Sequence, residues 1–247
     1  MTDPAASGIL AFLFFLMATC YSAVGQGGGS GYLAAMAFFS LGPETMRLTA
    51  LSLNVVVSAV ALWRFRRAGH FRRDLFVPLA AGSVPAAFAG GLLGLPGEIF
   101  RPMVGLVLFW AAYRLIRGRA AGDAAGKTPT LPACLGVGGG IGFLSGLIGI
   151  GGGIFLAPVL VLRRWSDVKI AAGVSAAFIL VNSLAALAGI SFRGPAIPLY
   201  LPVWMAVVVL GGWVGAGLGA RRLPPRALRT VLAVILLVAG ARLLLSF

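Results

Sequence analysis

The sequence predicts an all-α polytopic integral membrane protein with about 8 spanning helices in two inverted-topology repeats. Three observations carry this. Hydrophobic residues fill 60% of the 247 positions and charged ones 11%, for a mean hydropathy of +1.00, more apolar than a solvated globular surface allows. The apolar runs approach 20 residues without two-residue alternation; lipid offers the backbone no hydrogen-bond partner, so such runs span as helices. A glycine run inside apolar sequence occurs twice, VGQGGG at 24–29 and IGIGGG at 148–153, which marks an internal repeat.

Apolar segments fall in order at 8–24, 30–42, 46–63, 75–95, 99–116, 132–149, 153–162, 169–190, 199–220 and 228–246. The first is preceded by Asp3 and no Lys or Arg, so it reads as mature structure rather than a secretory signal. Segments 30–42 and 153–162 directly follow the glycine runs and are too short to cross about 30 Å at about 1.5 Å per residue. Each half therefore opens with a Gly-interrupted helical hairpin. Two arrangements fit the short segments, return to the side of origin or a span, and a span in one of them would make the repeats parallel instead of inverted.

Basic residues orient the chain. Arg64, Arg66, Arg67, Arg72 and Arg73 crowd one connection, Arg114, Arg117, Arg119 and Lys127 the next but one, and Arg163, Arg164, Lys169 and Arg221, Arg222, Arg226, Arg229 two more. These connections should be cytoplasmic, leaving Arg47, Arg101, Arg193 and Arg242 for the other side. Segment 46–63 then runs outside to inside and 169–190 inside to outside, so the halves are inverted and both termini are non-cytoplasmic. Residues 1–116 form the first repeat, the polar stretch 117–130 a cytoplasmic linker, and 131–247 the second repeat. A net charge of +14 serves orientation and contact with anionic lipid, not nucleic acid.

The glycines carry the strongest chemical signal. Gly25, Gly27, Gly28, Gly29 and Gly149, Gly151, Gly152, Gly153 can each end one helix and start another at membrane depth. New helix N-termini near Ser30 and Ile154 would present free N–H groups and a positive dipole end, an anion site without a buried cation. Close helix packing by small residues is the competing account. Gln26, where the second run has Ile150, makes the two half-sites unequal. Polar residues on the following segments, Thr49, Ser52, Asn54 and Ser58 in one half and Ser175, Asn182 and Ser183 in the other, either face these breaks or bond neighbouring helices.

Other features read more simply. Gly211, Gly215, Gly219 and Gly90, Gly94 repeat every fourth residue, which suits close crossings within the protein or in a homodimer. The six acidic residues fall at segment ends or in connections, so none is an obvious mid-membrane ion carrier. Cys20 and Cys134 lie in apolar runs and need no disulfide or metal role, and His70 reads as a loop histidine. No HExxH, G-x-S-x-G or CxxC pair points to an enzyme or a bound metal, and GDAAGKT at 122–128 is one residue short of a P-loop, so no cofactor is expected.

GQGGGSGYLAAM, TALSLNVVVSA, RRAGHF and GLIGIGGGIFLAP followed by AAGVS resemble the sulfite exporter TauE/SafE family over nearly the whole chain. The resemblance implies a bacterial inner-membrane carrier of a small anion such as sulfite or an organosulfonate. Its glycine motifs fall on Gly25 to Gly29 and Gly149 to Gly153, and its Thr-Ser pairs on Leu51–Ser52 and Val174–Ser175, with the threonine replaced twice. Asn54 could compensate in the first half. An importer of a different small solute and a non-transporting assembly or sensor protein are the other readings.

Overall fold

A computed structural model describes residues 4–93, 95–117, 128–194 and 197–221, with 237, 240, 241 and 244. Most of the linker, the GDAAGKT stretch and segment 228–246 lie outside these residues, as do Asp3, Gly94, Arg119, Asp123, Lys127, Arg222, Arg226, Arg229 and Arg242. The described chain runs α1 (Pro4–Ser22), α2 (Gly29–Phe38), α3 (Pro43–Arg67), α4 (Arg73–Leu92), α5 (Gly97–Arg117), α6 (Leu131–Ile148), α7 (Gly153–Leu162), α8 (Val168–Ser191) and α9 (Leu201–Arg221).

Local chemistry sets the ends. Pro43 opens α3 where its missing N–H costs nothing, and Asp167 caps α8 by accepting from the Lys169 and Ile170 N–H groups at 2.8 and 2.9 Å. Six of these helices, α1, α3, α4, α6, α8 and α9, are long and apolar enough to cross a membrane. Helix α5 is of similar length but carries Glu98, Arg101, Arg114 and Arg117. The 10-residue α2 and α7 rise only about 15 Å, half the hydrocarbon thickness.

Helices α3 and α8 pack antiparallel in the centre. Glu44, at the start of α3, pairs with Arg193 just beyond α8 at 2.7 Å. At the other end, the His70 carbonyl after α3 lies against Gly173 in the first turns of α8. The outer helices cross between halves: α4 packs on α6 and α8, while α9 packs on α1 and α3. Glycines make these crossings close. Gly138, Gly142 and Gly146 of α6 face the carbonyls of Leu79, Ser83 and Ala87, and Gly211, Gly215 and Gly219 of α9 face those of Phe15, Thr19 and Ala23. The every-fourth-residue run on α9 is thus used inside one chain. Gly90 likewise faces the Phe143 carbonyl.

The repeat is written in the backbone. Left-handed residues recur in pairs 124 or 125 positions apart: Gly25 and Gly149, Gly28 and Gly152, Ser40 and Arg164, Gly69 and Gly194. Among the described residues only Gly151 lacks such a counterpart. Non-glycine residues seldom adopt this conformation, so Ser40 and Arg164, each two residues beyond a short helix, show that both halves turn the chain alike.

Arg47, near the start of α3 and within the apolar segment 46–63, is buried, 2% exposed. Its guanidinium donates to the carbonyls of Gly90 (3.1 Å), Leu93 (2.9 Å) and Gly146 (2.9 Å). These are the C-terminal ends of α4 and α6, where unpaired carbonyls and the helix dipole favour a cation.

Candidate functional site at the paired glycine breaks

The first break begins where α1 stops at Ser22. The Val24 and Gln26 N–H groups turn back to the Tyr21 carbonyl at 3.1 and 2.9 Å, and Gly25 (φ 72°) and Gly28 (φ 94°) redirect the chain into α2. The second break repeats this. Gly149 (φ 89°) donates to the Ser145 carbonyl at 2.8 Å, and Gly151 and Gly152 (both φ 83°) lead into α7. Side chains would be strained in these conformations.

Each break is also too tight for a side chain. A Cβ on Gly25 would overlap Ala172, and one on Gly149 would stand 3.0 Å from the Arg47 Cα. On Gly28 it would meet the Tyr32 ring at 2.8 Å, and on Gly152 the Phe178 ring at 2.9 Å. The breaks meet each other between α3 and α8. A Cβ on Gly29 would lie 2.5 Å from the Ile150 carbonyl oxygen, which accepts from Asn54 Nδ2 at 3.0 Å.

Asn54 and Ile179 are the two walls of this meeting point. Asn54 presses on Gly27 and Gly29 of its own half and on Gly151 of the other; Ile179 presses on Gly151 and Gly153 of its own half and on Gly27 of the other. These contacts exchange when the halves are exchanged. The side chains do not match. At equivalent positions the first half carries Gln26, Arg47 and Asn54 where the second carries Ile150, Ala172 and Ile179, so one side of the junction is polar and the other apolar.

Several polar groups here have no hydrogen-bond partner among the described residues. They include Asn54 Oδ1, the Tyr32 hydroxyl beside Gly28, Ser183 Oγ beside Gly151 and Ser145 Oγ beside Gly152, all in buried residues. Leaving such groups unpaired in a protein interior costs about 1–3 kcal/mol each, so their convergence on the breaks suits a polar guest. The first-turn N–H groups of α2 and α7, at Gly29, Ser30, Gly153 and Ile154, have no carbonyl one turn earlier in their own helix and add donors to the same place.

The sequence-predicted residues divide. Gly27, Gly29, Asn54, Gly151 and Gly153 come together, whereas Gly25, Gly28, Gly149 and Gly152 face Ala172, Tyr32, Arg47 and Phe178. Ser175 is fully buried on α8, its carbonyl 3.8 Å from where a Gly153 Cβ would be, and buried Asn182 adjoins Ser183. Ser30 donates to the Tyr21 hydroxyl at 3.0 Å instead of facing the opposite break. Gln26 is half-buried. Ser52 is also half-buried, and two residues before Asn54 it is turned about 200° around the helix, onto another face. Ile179, Tyr32 and Arg47 are the residues sequence reasoning missed. The repeat offset that relates Gly27 to Gly151 also relates Asn54 to Ile179 within one residue, and was the signal available for finding it.

The family described as sulfite exporter TauE/SafE matches residues 10–243. The chain is 41% identical to the "probable membrane transporter protein y4hK" of Sinorhizobium fredii over 95% of this chain and 97% of the relative. It is 29% identical to the "probable membrane transporter protein YunE" of Bacillus subtilis over 42% of this chain and 38% of that protein. No solved structure matches the chain.

Proposed function

The chain belongs to the sulfite exporter TauE/SafE family, and from that premise we propose that it is a membrane transporter moving a small anion, of the sulfite or organosulfonate class, out of the cell. The substrate is held where the two glycine breaks meet. The observation that carries this reading is the exchanged contact of Asn54 and Ile179 with Gly27 and Gly151, because it joins both half-helix N-termini and the unpartnered Asn54 oxygen at one point in the core.

The α2 and α7 N-termini supply N–H groups and positive dipole ends for an oxyanion, and Asn54, Ser183 and Tyr32 supply polar side chains. Glycine lets backbone N–H groups approach the guest without a Cβ in the way. Two halves of inverted topology then give two states of similar energy that face opposite sides, the basis of alternating access. The arginine-rich connections lie in the cytoplasm, both termini outside, and the protein sits in the bacterial inner membrane. Copies pair as a homodimer through surfaces other than the α9 glycines, which α1 already occupies.

Export of an anion needs no partner ion, since an inside-negative potential supplies about 2.3 kcal/mol per charge per 100 mV. The test is flux of sulfite and sulfoacetate from proteoliposomes, with and without an imposed potential, in the wild type and in Asn54→Leu checked for folding. Potential-sensitive flux that disappears in the folded variant supports the reading. Absence of flux of both anions refutes the substrate class, and flux untouched by Asn54→Leu refutes the site.

A further inference from the structure

A second cluster of charge lies away from the breaks, at the end of the bundle where α3 begins and α8 ends. Glu44 and Arg47 stand three residues apart on α3 and so share a helix face. With Arg193 and Ile190 they enclose a cavity of about 10 Å³. The cluster holds two guanidinium groups and one carboxylate, a net positive charge. The Glu44–Arg193 pair is open to solvent, its side chains 55% and 36% exposed. Arg47, 2% exposed, is fixed behind them by the carbonyls of α4 and α6, and its Nε has no hydrogen-bond partner among the described residues.

Such an arrangement suits ligand exchange. An exposed ion pair gains little from its own attraction, whereas an oxyanion that replaced Glu44 would gain a charge-assisted contact with Arg193 and the field of a second, desolvated guanidinium. The cavity is too small for sulfite while Glu44 occupies its rim, so entry requires the carboxylate to swing outward, which its exposure permits. Arg47 also connects this cluster to the breaks, because its own backbone packs on Gly149.

We propose that Glu44, Arg47 and Arg193 form a second anion station at the mouth of the bundle, where the Glu44 carboxylate keeps the place of a small oxyanion and yields it to sulfite or a sulfonate headgroup. This rests on the reading of the chain as an anion carrier but concerns a separate site. It is tested by equilibrium binding of ³⁵S-sulfite to the purified full-length protein and to Glu44→Gln and Arg193→Gln, with thermal denaturation confirming that each variant folds. Glu44→Gln removes the competitor and raises affinity about tenfold, and Arg193→Gln lowers it by at least as much. Asn54→Leu, which addresses the central site, loses flux and keeps the binding that Glu44→Gln strengthens. Sulfite binding that neither charge variant alters overturns the station while leaving the central site standing, and failure of every variant to bind sulfite overturns it for oxyanions.

Discussion

Asn54 Nδ2 donates to the Ile150 carbonyl across 3.0 Å, and its counterpart Ile179, 125 positions later, fills the matching place on α8 with hydrocarbon against Gly27, Gly151 and Gly153. The junction of the breaks therefore has shape symmetry and chemical asymmetry. Shape is what two halves need to interlock; the asymmetry makes one side of the junction polar and the other apolar.

Replacing Asn54 with Ile would make the two walls chemically alike. It leaves the Ile150 carbonyl without its donor, a cost of about 1–3 kcal/mol offset in part by the loss of the unpartnered Asn54 oxygen. Flux should fall at least tenfold. Thermal denaturation and proteoliposome flux on the same preparation check this, and a folded Asn54→Ile protein with full flux would remove the side chain from the site.

Glycine substitutions should separate by location. Gly29→Ala places a methyl 2.5 Å from the Ile150 oxygen and 2.7 Å from Asn54 Nδ2, an overpacking that costs about 1–3 kcal/mol. Gly140→Ala on α6 meets nothing within 4 Å and should be neutral or stabilising by up to about 1 kcal/mol, since alanine is the better helix former. Midpoints of thermal unfolding in one detergent give the comparison; equal midpoints would mean that the breaks are looser than their geometry indicates.

Arg47→Met should be the most damaging single change considered. It strips the donor from the carbonyls of Gly90, Leu93 and Gly146, and each buried acceptor left unpaired costs about 1–3 kcal/mol. The expected result is a large drop in folded yield on size-exclusion chromatography. Arg47→Lys should rescue only partly, because an ammonium cannot reach several carbonyls with a planar fork. A well-folded Arg47→Met protein would show that α4 and α6 hold α3 without the guanidinium.

Orientation is open to labelling. Cys20 and Cys134 are free and buried, so a membrane-impermeant maleimide should report chiefly on introduced thiols. Arg193→Cys should label in intact cells, whereas Arg67→Cys, at the opposite end of α3, should label only after permeabilisation. The reverse pattern would invert the assigned topology, and labelling of both from outside would end the assignment of α3 as a span.

Much was legible in the sequence because its signals are local. The helices from 46–63 and 169–190 follow from apolar length in a solvent that cannot satisfy a bare backbone, and the short α2 and α7 follow from glycines that no other residue could replace at φ near 90°. The doubled glycine run, read as a repeat, reappears as matched left-handed residues.

What the sequence by itself determined was therefore the helical class, the two breaks and the repeat that relates them, since each rests on neighbours along the chain. Only the tertiary structure decided that Ser52 turns from Asn54's face, that Ser30 bonds Tyr21, that α4 and α9 pack across the halves, and that Arg47 lies inside the bundle. Those depend on rotation about helix axes and on which distant carbonyls fall within about 3 Å. For Arg47, counted in the sequence only by its side of the membrane, the partners are the C-terminal carbonyls of two other helices, which no signal along the chain brings to it.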